Sequence, residues 1–135
     1  MAKRILIAED DKASRETLTK HATSQGYEVT AVTNVFDLLM VTDEFDVVIM
    51  DLMMEDLDVV TAASIVKLQR DTTPVIALTG KFTADMASLK GSFTKIYLKP
   101  VIVSELFEYL ESIDLEIPET GHGETRLWND SCNGN

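Results

Sequence analysis

Asp46-Val47-Val48-Ile49-Met50-Asp51 sets an unbroken apolar run between two acids. The run is short, mostly β-branched and lacks polar alternation, so Asp46 to Met50 reads as a strand covered on both faces by other elements. Working outward, Arg4 to Ala8, Glu28 to Thr33, Pro74 to Leu78 and Lys95 to Leu98 read as further strands, and Pro74 suits a first strand position because it has no N–H to donate. Between and after them lie stretches of helical length: Lys12 to Gln25, Val35 to Thr42, Val59 to Arg70, Thr83 to Lys90, and Val103 to Ile113. Strand and helix alternate along the chain, which favours a doubly wound parallel sheet of five strands with five helices, because each crossover lays a helix on a sheet face. Gly26 is placed to close the first helix in the left-handed conformation, and Leu106, Leu110 and Ile113 put an apolar stripe on the last. The first helix departs from a clean pattern, with Ser14, Thr17 and His21 where apolar residues would be expected.

A chain of 135 residues suits one domain and leaves no room for a second folded output domain. We read residues 1–116 as that domain and 117–135 as an irregular tail, since Ile117-Pro118-Glu119-Thr120-Gly121-His122-Gly123 fits neither helix nor strand. Leu127 and Trp128 in the tail are expected to dock on the domain or on a neighbouring chain. The net charge of −11 disfavours nucleic acid and anionic lipid, both of which recruit concentrated Lys and Arg. No apolar run approaches a membrane span, and cytoplasmic residence is the default expectation. The single cysteine, Cys132, excludes an internal disulfide and a cysteine metal cluster, and His21 and His122 suggest no site.

In parallel α/β sheets ligands bind beyond the C-terminal strand ends. Glu9, Asp10 and Asp11 follow the first strand, Asp51 the third, Thr79 the fourth and Lys99 the fifth. Crowded carboxylates repel unless protonated, paired or neutralised. Oxygen donors without His or Cys point to magnesium, which takes one or two carboxylates and keeps room for phosphate oxygens. Glu9, Asp10 and Asp51 are the candidate ligands, whereas Asp11, directly before a helix, reads better as its N-cap.

Ile5-Leu6-Ile7-Ala8-Glu9-Asp10-Asp11, Asp46 to Met54, Pro74-Val75-Ile76-Ala77-Leu78-Thr79-Gly80 and Tyr97-Leu98-Lys99-Pro100, in that order, resemble the receiver domain of bacterial response regulators over about Lys3 to Ile113. The resemblance implies a flavodoxin-like sheet of strand order 2-1-3-4-5 and a signalling module, not an enzyme with a separate substrate. Asp51 would accept a phosphoryl group from a histidine kinase or phosphotransfer protein. Glu9 (through water), Asp10, Asp51 and the Met53 backbone carbonyl would hold magnesium, while Lys99 and Thr79 would meet the phosphoryl oxygens and Gly80 would leave room for them. The family's Lys-Pro bond is typically cis. Its switch couples the threonine to an aromatic residue on the fifth strand, and a downstream protein reads the face of the fourth helix, fifth strand and fifth helix. A homodimer is compatible with the family pattern.

Several positions depart from that pattern. Ile96 stands at the usual aromatic position with Tyr97 one place later, the segment from Thr79 to Lys99 is about two residues short, and Glu55 and Val59 replace a common Pro and Gly. Met53 and Lys81 occupy the two positions that tune phosphate hydrolysis in the family, and their bulk favours a long-lived phosphate. Two other readings compete: a haloacid dehalogenase-type phosphatase, which would want a DxD motif after the first strand where Glu9-Asp10-Asp11 stands, and a receiver-like scaffold that is never phosphorylated.

Overall fold

The computed structural model describes residues 3–41, 43–55, 64, 73–81 and 93–116. Apart from Ser64, which is helical, the expected helices over 59–70 and 83–90, and the tail with Leu127 and Trp128, lie outside the described residues. Five strands, β1 (Arg4–Ala8), β2 (Glu28–Val32), β3 (Val47–Asp51), β4 (Val75–Thr79) and β5 (Lys95–Leu98), form one sheet in the order β2-β1-β3-β4-β5. Every pairing is parallel. Three helices are described: α1 (Lys12–Ser24), α2 (Val35–Met40) and α3 (Val103–Glu116).

β1, β3 and β4 occupy the middle of the sheet, and β3 and β4 are buried at every residue. That explains their apolar runs, since neither face meets water. One core cluster joins Leu6 and Ala8 of β1, Val48 and Met50 of β3, and Val75 and Ala77 of β4 with Val35 and Leu38 of α2, and Ile96 of β5 packs against it. The edge strands are less apolar because one side of each lacks a neighbour.

Local signals set the element ends. The Asp11 side chain accepts the Ser14 N–H at 2.9 Å, so it caps α1 as its position before the helix suggests. Asn34 does the same for α2 through the Asp37 N–H at 2.8 Å. Gly26 has φ +94°, the left-handed conformation that ends α1 at low steric cost. The buried face of α1 is Leu18 and Ala22, a narrow stripe that accounts for the polar residues at Ser14 and Thr17. Strand ends differ from the sequence expectation by one residue. Asp51 and Thr79 are the last residues of β3 and β4 and do not follow them, because the pairings Asp51↔Leu78 and Thr79↔Leu98 continue the ladder.

The chain divides into two compact units, one ending at Val101 and one beginning at Ile102. The site residues all belong to the first. In the second, α3 buries Leu106, Phe107 and Leu110 while Ile113 is half-buried, so two of the three residues of the expected stripe are buried, and the helix runs three residues beyond Ile113 to Glu116.

Candidate functional site

The C-terminal ends of β1, β3, β4 and β5 bring Glu9, Asp10, Asp51, Thr79 and Lys99 into one corner of the sheet. Backbone bonds register the ends: Glu9 N–H donates to Val32 O at 3.1 Å, Leu52 N–H to Leu78 O at 2.7 Å, and Lys99 N–H to Thr79 O at 2.8 Å. Glu9 (1% exposed), Asp51 (2%) and Thr79 (0%) are the polar residues buried with the core among the described residues. A carboxylate removed from water needs compensation, so each oxygen must be accounted for.

Asp51 is held from two sides. Its Oδ2 accepts from Lys99 Nζ at 2.9 Å and its Oδ1 from the Met53 N–H at 2.8 Å. Lys99 Nζ also reaches Glu9 Oε1 at 3.4 Å, and Glu9 Oε2 accepts the Asp11 N–H at 3.2 Å. One ammonium therefore serves two buried carboxylates. Asp10 is exposed and its Oδ2 accepts the Glu55 N–H at 3.0 Å. Lys99 precedes a cis bond to Pro100.

The charge balance is incomplete. Burial, together with hydrogen bonding to Asp51, pushes the Glu9 carboxyl up to about 7, against the partial relief given by the Asp11 N–H and Lys99. Burial pulls the Lys99 ammonium down, but its hydrogen bond to Asp51 and the charges of Asp51 and Glu9 outweigh that and hold it above the ordinary value. The ligand oxygens of Glu9, Asp10 and Asp51 lie within 4.8 Å of one another. All are hard oxygen donors, crowded together with one ammonium shared between two of them, so this cluster fits a magnesium ion.

Thr79 Oγ1 donates to Lys81 O at 2.8 Å and lies 3.6 Å from Met53 Sδ. Gly80 leaves open space: a methyl group added there meets no atom within 4 Å. Protein packing thus does not itself demand glycine. Of the expected switch residues, Ile96 packs on the core cluster, while Tyr97 is half-buried with the Lys95 ammonium 5.2 Å from its ring centre. Two participants stand outside the site residues expected from the sequence. Arg15 Nη1 donates to the carbonyls of Glu9 at 3.1 Å and Asp10 at 3.4 Å, and Glu55 binds Asp10 through its backbone. A basic residue in the first turns of the helix after the acids was the available signal for Arg15; a backbone donor such as Glu55 leaves none.

The sheet order and the acid corner define a flavodoxin-like fold with its polar cluster at the strand ends. The chain belongs to the response regulator receiver domain family, whose model matches residues 5–111. Transcription factor SKN7 of Candida albicans is 29% identical over 110 residues, covering 78% of this chain and 20% of that protein. Transcriptional regulatory protein TcrA of Mycobacterium tuberculosis is 29% identical over 119 residues, covering 85% of this chain and 47% of its own. The chain thus spans less than half of these relatives' length. The response regulator TrrA of Thermotoga maritima, solved with Mg2+-BeF, shares the fold with a TM-score of 0.73 and 23% identity, covering 82% of this chain and 98% of that one. The receiver domain of a Pseudomonas aeruginosa sensor histidine kinase, solved with a magnesium ion in its active site cleft, gives a TM-score of 0.72 and 24% identity over 83% and 97%. No helix among the described residues is long and apolar enough to cross a membrane.

Proposed function

We propose that this receiver domain accepts a phosphoryl group on Asp51 from a histidine kinase or phosphotransfer protein and signals by changing which protein it binds or by passing the phosphate on. The observation that carries this reading is the buried Asp51 carboxylate with Lys99 Nζ at 2.9 Å and the acids Glu9 and Asp10 beside it. An Asp51 oxygen attacks phosphorus as the bond to the donor's imidazole nitrogen breaks, and the imidazole leaves with the bonding pair. Lys99 neutralises charge on the phosphoryl oxygens. The Thr79 hydroxyl turns from Lys81 O to a phosphoryl oxygen, and the open space at Gly80 admits the group. Glu9, Asp10, Asp51 and the Met53 carbonyl would hold magnesium, whose charge offsets that of the equatorial oxygens when it is bound.

The receiver is proposed to occupy residues 1–116, with 117–135 as a tail, and to act in the cytoplasm. The Thr79 response would pass to Ile96 and Tyr97 on β5, the strand within the face of fourth helix, fifth strand and fifth helix that a partner protein would read. A homodimer is one such partner. The test is incubation with acetyl phosphate and magnesium, read by intact mass. Wild type should gain one phosphate and Asp51→Asn none; equal gain by both proteins, or none by either, would overturn the assignment.

A further inference from the structure

We propose that Met53 is a modification site, whose thioether a peroxide converts to a sulfoxide that captures the Thr79 hydroxyl. Its consequence for signalling rests on the reading of Asp51 as phosphoryl acceptor; the modification itself does not.

Three methionines lie within five residues, and their surroundings separate them. Met50 and Met54 are 1% and 2% exposed, whereas Met53 is 46% exposed. Burial shields a thioether from a dissolved oxidant, so Met53 is the vulnerable one of the three. It is also tied to the site. Its backbone N–H holds Asp51 Oδ1 at 2.8 Å, and its Sδ lies 3.6 Å from Thr79 Oγ1. A hydroxyl has one proton to give, and the Lys81 carbonyl at 2.8 Å has it, because a thioether is a weak acceptor.

Oxidation changes that competition. The sulfur lone pair attacks one peroxide oxygen, the O–O bond breaks, an S–O bond forms, and the other oxygen leaves as water after taking a proton. The product places a strong, partly negative acceptor beside the Thr79 hydroxyl and adds polar bulk at the exposed side of the Asp51 corner. The Thr79 proton then moves from the Lys81 carbonyl to this stronger acceptor, which Thr79 must give up before it can meet a phosphoryl oxygen. Phosphate uptake should fall several-fold, up to about tenfold, the full worth of one ordinary hydrogen bond being the ceiling for such an exchange of acceptors. Met40 is 62% exposed but sits on α2, so its oxidation serves as an internal control.

The experiment treats the full chain with hydrogen peroxide in a Cys132→Ser background, with Met53→Leu and Met40→Leu variants alongside. Peptide mass mapping should find Met53 and Met40 oxidised well before Met50 and Met54. The Thr79 and Lys81 amide resonances should shift on oxidation in the parent and in Met40→Leu but not in Met53→Leu. Uptake from acetyl phosphate, each sample against its own untreated control, should fall in the first two only, and methionine sulfoxide reductase should restore it. Met53 oxidising no faster than Met54, or oxidised Met53 leaving the Thr79 amide and the uptake unmoved, would overturn the proposal. If the untreated chain takes up no phosphate, the Asp51 reading fails, and the peptide map and amide shifts still decide the fate of Met53.

Discussion

Lys99 Nζ sits 2.9 Å from Asp51 Oδ2, joining the end of β5 to the end of β3 across the intervening strand β4. The same ammonium is shared with Glu9 at 3.4 Å, so it stands where a second cation would also be drawn.

Replacing it separates two roles. Lys99→Ala should bind magnesium at least as tightly as wild type, because the ion no longer competes with an ammonium for Asp51 and Glu9, yet it should accumulate phosphate roughly 10²-fold more slowly for want of charge on the phosphoryl oxygens. Titration calorimetry and intact mass measure the two effects. Parallel losses in both would show that Lys99 merely props the site.

Magnesium binding should depend on pH through Glu9. Its folded value of about 7 lies above its ordinary 4.5, so the folded chain holds this proton more tightly than the unfolded chain. The stabilising contribution is complete below about 4.5 and is lost as pH rises through about 7, a change on the order of 3 kcal/mol. Thermal melts without metal should therefore weaken over that window, and added magnesium should recover stability at pH 8 but little at pH 5. Glu9→Gln should flatten both trends.

Thr79→Val keeps the shape of a fully buried side chain while deleting the donor to Lys81 O. Urea unfolding should show a loss of about 1 kcal/mol, since the exposed Lys81 carbonyl can turn to water. Phosphate uptake should slow several-fold more than that small destabilisation explains, which a quenched time course would register.

Met53 and Lys81 flank the Thr79 hydroxyl, one through sulfur and one through its carbonyl. If their side chains hinder the attacking water, Met53→Ala and Lys81→Ala should each shorten the lifetime of the aspartyl phosphate several-fold. A lifetime in magnesium that neither truncation changes would remove both from that role.

Most of the fold was legible because buried parallel strands advertise themselves as apolar runs. Arg4–Ala8 and Lys95–Leu98 match the reading residue for residue. Asp46 was read as strand but stands outside it, accepting the Arg4 N–H at 2.7 Å while the same arginine reaches Glu44 O and Asp43 Oδ2. Such a grip joins residues about 40 positions apart and leaves no local trace. The acids, Thr79 and Lys99 were visible as polar residues closing apolar runs. How they share hydrogen bonds was not, because the Glu55 N–H on Asp10 and the Met53 sulfur beside Thr79 depend on the path of the loop after β3. Ile96 shows the same limit: strand alternation places it, but only the assembled sheet turns it onto the core.

The Met53 and Glu55 amides strap that loop to Asp51 and Asp10. The strap needs an oxygen with a lone pair, not a negative charge, and a carboxamide oxygen supplies one as well. Asparagine at either position therefore silences the charge and leaves the loop moored, whereas alanine cuts the mooring too, so the gap between the two substitutions weighs loop anchorage apart from electrostatics.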